Sequence, residues 1–312
     1  MRIVVTGGNG FLGRHFVELL EKHKAVYYAP SRANFDFLNL QDTLAATEGS
    51  NVIVHMAGNV GGIGYNQLNG AKLFADNFQM GFNILEAARI NKIAKVVFIG
   101  TVCSYPENCP VPFEPRDLWN GYPEPTNAPY GIAKRALITL GYEYAKAYGF
   151  CFVPLIPTNM YGEGDHYDEG KSHVVPALIK KLVDARNAKL PEVEVWGSGR
   201  PTRELLYVKD ACIAIAQATY NYPSYRSTNM RPDMPIMNIG SGVEISIKDL
   251  ANLIQRLVGY EGRLIFNPKK PDGQKRRLIS TEVMERELKF KPSTPIVIAL
   301  ERTIKDYEER YT

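Results

Sequence analysis

The run Val4-Val5-Thr6-Gly7-Gly8-Asn9-Gly10-Phe11-Leu12-Gly13 limits the possible folds more than any other stretch of this chain. An apolar strand ends in glycines and opens at once into an amphipathic helix pattern over residues 11–23. Glycines permit a tight turn and close backbone approach, and the free N–H groups of the helix start then face an anion such as a pyrophosphate. Gly7, Gly10, Phe11, Leu12 and Gly13 are therefore candidate dinucleotide-binding residues. Apolar runs at 3–6, 25–29, 52–56, 96–100 and 152–156 read as buried parallel strands, and helical patterns at 71–89 and 130–148 fall between the later ones. This alternation predicts an α/β fold, a Rossmann-type doubly wound parallel sheet.

Beyond about residue 157 the pattern loosens. Short strands near 193–196, 205–208, 236–239 and 264–266 mix with helices near 174–187, 209–219, 247–257 and 295–309. We expect residues 1–160 to form the nucleotide-binding domain, with later segments returning to its sheet, and residues 161–312 to form mainly a smaller α+β substrate-binding lobe. A cleft between two such units is a favoured ligand site. The proline-rich stretch 106–126 joins a strand to a helix and reads as an active-site loop.

With 312 residues the chain can bury one large core plus a lobe. The net charge of +4 is spread along the sequence, so no nucleic-acid stripe is expected. No run approaches the ~20 apolar residues of a membrane span. The sequence enters a strand pattern at Arg2, so no signal peptide is expected. Cys103, Cys109, Cys151 and Cys212 lack metal-type spacing and suit a reducing cytoplasm; no metal is expected.

Tyr130 and Lys134 lie one helical turn apart on one face. An ammonium beside a phenol favours the phenolate, and a tyrosine so tuned exchanges protons with a sugar oxygen. Thr101, closing the fourth strand, supplies a further hydroxyl. At the end of the second strand, Ser31-Arg32 stands where an acid would select NAD; an arginine there suits the 2′-phosphate of NADP(H). His55-Met56-Ala57-Gly58 ends the third strand and lines the cofactor, although His55 suits a packed core equally well. By residue type alone, Cys103 reads as a small buried hydrophobe and His173 as a surface residue at a helix start.

Both readings change once the motifs are joined. Val60-Gly61-Gly62-Ile63, Cys103-Ser104-Tyr105-Pro106, Glu124-Pro125-Thr126-Asn127, Pro157-Thr158-Asn159-Met160-Tyr161-Gly162, Ser172-His173-Val174-Val175-Pro176, Val195-Trp196-Gly197-Ser198-Gly199 with Arg203-Glu204, and Lys270-Pro271-Asp272-Gly273 run nearly end to end. As a set they resemble the extended short-chain dehydrogenase/reductases and, among them, the GDP-L-fucose synthase family. The resemblance implies an NADPH-dependent 3,5-epimerase/4-reductase that converts GDP-4-keto-6-deoxy-D-mannose to GDP-L-fucose. The alternatives are a GDP-L-colitose-type C5-epimerase/C4-reductase and an epimerase or dehydratase that retains NAD. It implies Cys103 as base and His173 as acid in the epimerisations, with Thr101, Tyr130 and Lys134 as the reductase triad. It places Ile99, Gly100, Pro157, Thr158, Asn159, Met160 and His173 on the cofactor, and Lys181, Trp196, Arg203 and Asp272 on the GDP-sugar. It also implies a homodimer through the helices at 71–89 and 130–148. The family's usual Ser-Ser is here Thr101-Val102, which keeps the first hydroxyl.

Overall fold

The computed structural model describes residues 1–168, 172–222, 235–270 and 272–312. Pro271, which belongs to one of the motifs above, lies outside the described residues. The first half alternates β1 (Arg2–Thr6), α1 (Phe11–Lys22), β2 (Val26–Tyr28), α2 (Leu40–Thr47), β3 (Val52–His55), α3 (Ile63–Leu68), α4 (Gly70–Ile90), β4 (Lys95–Ile99), α5 (Ala128–Tyr148) and β5 (Cys151–Pro157). There follow β6 (Asn159–Tyr161), α6 (Val174–Asn187), β7 (Glu192–Trp196), β8 (Thr202–Tyr207), α7 (Val208–Tyr220), β9 (Met237–Ile239), β10 (Glu244–Ser246), α8 (Ile247–Val258), β11 (Arg263–Asn267), α9 (Glu282–Leu288) and α10 (Ile296–Tyr311).

Six strands form a parallel sheet in the order β2-β1-β3-β4-β5-β9. β3, β4 and β5 are buried throughout, as their unbroken apolar runs predict for strands covered on both faces. The sixth strand, β9, comes from the far part of the chain and pairs Leu155 with Met237 through Pro157 with Ile239. Two small sheets, β10-β8-β6 and β11-β7, lie outside this one. The sequence patterns place the larger elements within a residue or two. They miss α2, α3, α9, β6 and β10, which are short and lack a distinct period.

Two buried charges hold the parts together. Lys95 on β4 is fully buried and donates to the carbonyls of Ala218 (3.1 Å), Thr219 (3.0 Å) and Tyr222 (3.3 Å), where α7 ends. A cation at a helix C-terminus meets its exposed carbonyls, while burial presses the Lys95 amine down to about 8. Glu204 on β8 accepts from the backbone N–H of Gly242 (2.8 Å) and Ile279 (2.9 Å), so one carboxylate pins two distant loops to the strand. Burial raises that carboxyl to about 7.

Candidate active site

The glycine turn builds the cofactor cradle. Gly7 adopts φ +72°, and a Cβ on it would stand 2.8 Å from the backbone nitrogen of Ala57. A Cβ on Gly13 would run into the Gly7 carbonyl, so both positions admit only glycine without a shift. Gly10 caps α1 with no side-chain partner for the helix start, which leaves the first-turn N–H groups turned outward. A groove of about 420 Å³ opens here, walled by Gly7, Asn9, Gly10, Arg32, Ala57 and Gly58 among others. Arg32 is exposed on its rim, with Ser31 preceding it. The cradle fits a dinucleotide: tight glycines, an open helix start and a guanidinium within the same groove.

Asp36, Asn59, Tyr65, Lys72 and Asp76 also line this groove and were not singled out from sequence. Asn59 carried a signal, since it directly follows the Ala57-Gly58 turn. Lys72 and Asp76 form an i,i+4 ion pair at 2.9 Å that reads as ordinary helix surface. His55 resolves to the packed alternative: it is fully buried, stacks on Phe98 and has Nδ1 2.8 Å from the Thr6 hydroxyl. Its Nε2 finds no partner among the described residues.

The chemistry converges where β4 ends. Thr101 opens a 3-10 turn, Val102–Ser104, and its Oγ1 accepts from the Cys103 N–H at 3.2 Å. The Thr101 hydroxyl also hydrogen-bonds the Tyr130 phenol, and Cys103 lies close enough to act on that phenol electrostatically. α5 reaches this turn because residue 131 is glycine; a Cβ there would strike the Cys103 carbonyl. Ser104 Oγ donates to the Gly131 carbonyl at 2.9 Å, and Arg135 Nε donates to the Ser104 carbonyl at 3.0 Å, which fastens helix to turn. Gly131 and Arg135 are positioning residues that the sequence reading missed, although Gly131 lies inside the Tyr-x-x-x-Lys motif.

One expectation needs correction. Lys134 does not pair with the phenol here. Its Nζ donates to the Ile99 carbonyl at 3.0 Å, next to Gly100, and sits 4.8 Å from the Phe98 ring centre. Burial brings the Lys134 amine down to about 8 and pushes the Tyr130 phenol up, with Cys103 adding to the rise and the Thr101 hydrogen bond opposing it. In this state Tyr130 is a protonated acid, not a phenolate.

His173 caps α6 and its carbonyl accepts from the Ala177 N–H at 3.0 Å. His173 is exposed at the start of α6, with protein mass around its ring. Partial desolvation lowers its pKa, and the neighbouring Arg277 and His166 lower it further. Pro157, Thr158, Asn159 and Met160 carry the chain from β5 into β6, with Thr158 Oγ1 and Asn159 Nδ2 each 3.4 Å from the Glu204 carbonyl.

The expected sugar-nucleotide residues gather at the edge of the β7 and β8 sheets. Trp196 is 59% exposed, with Lys181 Nζ 5.3 Å and Lys270 Nζ 5.1 Å from its ring centre. Lys270 was not among the expected residues. Arg203 donates to the carbonyls of Thr202 and Gln274, both at 2.7 Å, and of Asp272 at 3.3 Å. The Asp272 carboxylate accepts from Ser198 N–H at 2.6 Å and Ser198 hydroxyl at 2.8 Å. The structure thus assembles Arg203 and Asp272, but their polar ends are engaged with protein, and a ligand would exchange with those partners. No helix among the described residues is long and apolar enough to cross a membrane.

The profile described as "NAD dependent epimerase/dehydratase family" matches residues 3–240, and the chain belongs to that family. The chain is 36% identical to GDP-L-fucose synthase of Escherichia coli (strain K12), across 89% of this chain and 88% of that one. It is 33% identical to GDP-L-colitose synthase of Yersinia pseudotuberculosis, across 91% of each. A crystal structure of a GDP-L-fucose synthetase from Naegleria fowleri superposes with a TM-score of 0.88 at 25% identity, covering 99% of this chain and 94% of that one; a second structure of that protein is bound to NADP. Within the wider family, this chain belongs with the GDP-L-fucose synthases and their GDP-L-colitose synthase relative.

Proposed function

We propose that the protein is an NADPH-dependent epimerase/reductase that converts GDP-4-keto-6-deoxy-D-mannose to GDP-L-fucose. The reading rests on one observation above all: α5 closes on the Val102–Ser104 turn at Gly131, which brings Tyr130 beside Thr101 and Cys103. A 4-keto group acidifies the hydrogens at C3 and C5. At each carbon in turn Cys103, as thiolate, removes the proton and His173 delivers one to the opposite face of the ring. Thr101 and Tyr130 hold the C4 oxygen, and the protonated phenol donates to it as it gains charge. Lys134 keeps a positive charge beneath the Tyr130 turn. Gly7, Gly10 and Gly13 would hold NADPH, which when bound would supply a hydride for C4. Arg32 would take the 2′-phosphate, and Lys181, Trp196, Arg203 and Asp272 would hold the GDP portion.

The GDP-L-colitose synthase relative, nearly as similar as the fucose synthase, favours a second reading in which the sugar lacks the C3 hydroxyl and only C5 inverts. Incubation with GDP-4-keto-6-deoxymannose or its 3-deoxy counterpart, with NADPH and NMR of the product, decides between them. One NADPH consumed per product is expected. Turnover without NADPH consumption would replace both readings by an epimerase or dehydratase that retains NAD.

We further propose that the protein works in the cytoplasm, where its four free thiols stay reduced, and that it is a homodimer. α4 and α5 pack on each other and leave Phe74, Ile90 and Tyr148 38%, 43% and 53% exposed. Two such pairs related by a two-fold axis bury these side chains in one four-helix contact. Sedimentation at micromolar concentration is expected to give twice the chain mass; a monomer would refute the pairing.

A further inference from the structure

Two side chains near the site are used against their ordinary stabilising roles. Asn127 occupies the N-cap of α5, where an asparagine side chain ordinarily accepts from the first-turn N–H groups, yet it makes no such bond. Its Nδ2 instead donates to Glu124 Oε2 at 2.6 Å, and its Oδ1 accepts from Asn66 Nδ2 at 2.9 Å. The carboxylate accepts only, so it fixes the orientation of the Asn127 amide and, through it, that of Asn66. Asn66 is only 5% exposed, and its remaining Oδ1 is buried without a donor among the described residues. A buried acceptor left unpaired destabilises the fold. What Asn66 contributes is therefore the single bond through Nδ2.

That bond joins two parts of the site. Asn66 lies on α3, next to Tyr65, whose hydroxyl donates to Asn59 Oδ1 at 3.1 Å; Asn59 and Tyr65 both wall the cofactor groove. Asn127 lies three residues before Tyr130, and its carbonyl accepts from the Gly131 N–H at 2.9 Å. We propose that Asn66 is a positioning residue for Tyr130: through Asn127 it ties the start of α5 to the groove wall and so sets the phenol's distance to the reacting C4 oxygen. This deepens the reductase reading and rests on it for its kinetic consequence.

The test has two arms. In the folded, substrate-free protein, Asn66→Ala is expected to speed hydrogen exchange in the peptide covering residues 124–133, because the anchored turn is released. In turnover with whichever 4-keto sugar the wild type reduces, kcat for reduction should fall on the order of tenfold with KM for NADPH within about twofold. Asn66→Ala and Asn127→Ala combined should lose no more than the worse single variant, since both break one link. Unchanged exchange at residues 124–133, or losses that simply add, would overturn the proposal. A wild type that reduces neither sugar defeats the reductase reading instead, and the exchange arm then decides this one.

Discussion

Cys103 and Tyr130 stand side by side, yet the proposed chemistry separates them. In D2O without reduced cofactor, the protein should wash deuterium into the 4-keto sugar. Cys103→Ser should nearly abolish that exchange, because a serine hydroxyl is a far weaker base than a thiolate. Tyr130→Phe should slow reduction by at least about a hundredfold while leaving much of the exchange. Wild-type wash-in from the Cys103→Ser protein would mean that the base lies elsewhere. Residue identity and order along the chain made these positions readable, since each sits at a strand end or a helix start. The ionisation of Tyr130 was not readable. It depends on burial and on whether Lys134 turns to the phenol or to the Ile99 carbonyl, a choice the spacing leaves open.

Among the elements, the contact of α5 with the Val102–Ser104 turn governs the site. Gly131→Ala puts a methyl group against the Cys103 carbonyl, so helix and turn must part. The overpacking should cost about 1–3 kcal/mol of stability. A shift of that kind between Tyr130 and Cys103 should also lower kcat on the order of ten- to a hundredfold. Thermal unfolding and steady-state kinetics of the folded variant check both, and a fully active Gly131→Ala protein would show that the contact is dispensable. The long elements were legible because buried strands and amphipathic helices impose their periods on the sequence. Short α3 was not, and with it went the link from Asn66 to Asn127, which no spacing rule connects across so long a stretch of chain.

At the scale of the whole molecule, buried carboxyls set a pH dependence. Burial raises Glu204 and Asp165 to about 7. Their folded-state pKa values exceed the unfolded ones, so the folded form holds protons that the unfolded chain has released. The associated stability is complete only below the ordinary carboxylate range and is lost as pH rises through about 7. Between pH 6.5 and 7.5 each carboxyl should lose roughly 0.7 kcal/mol. Lys95 and Lys134, with pKa values brought down to about 8, oppose this as pH climbs, and so do His55 and His173, whose pKa values are held below the ordinary histidine range, chiefly by burial. The net loss of roughly 0.5 kcal/mol corresponds to a Tm decrease of about 1 °C, and Glu204→Gln, which removes one carboxyl's share, should abolish it. A Tm that rises over this interval would show that Glu204 and Asp165 are ionised throughout.

The return of the chain at Met237–Ile239 to close the parallel sheet also has a consequence for biosynthesis. The edge of β5 stays open until about three quarters of the polypeptide has left the ribosome, since its partner strand begins only at residue 237. An unpaired, wholly apolar edge is the kind of template on which nascent chains stick to one another. Slowed translation just before residue 237 would prolong that exposure, and a fragment ending there should demand chaperone protection that the full-length chain outgrows.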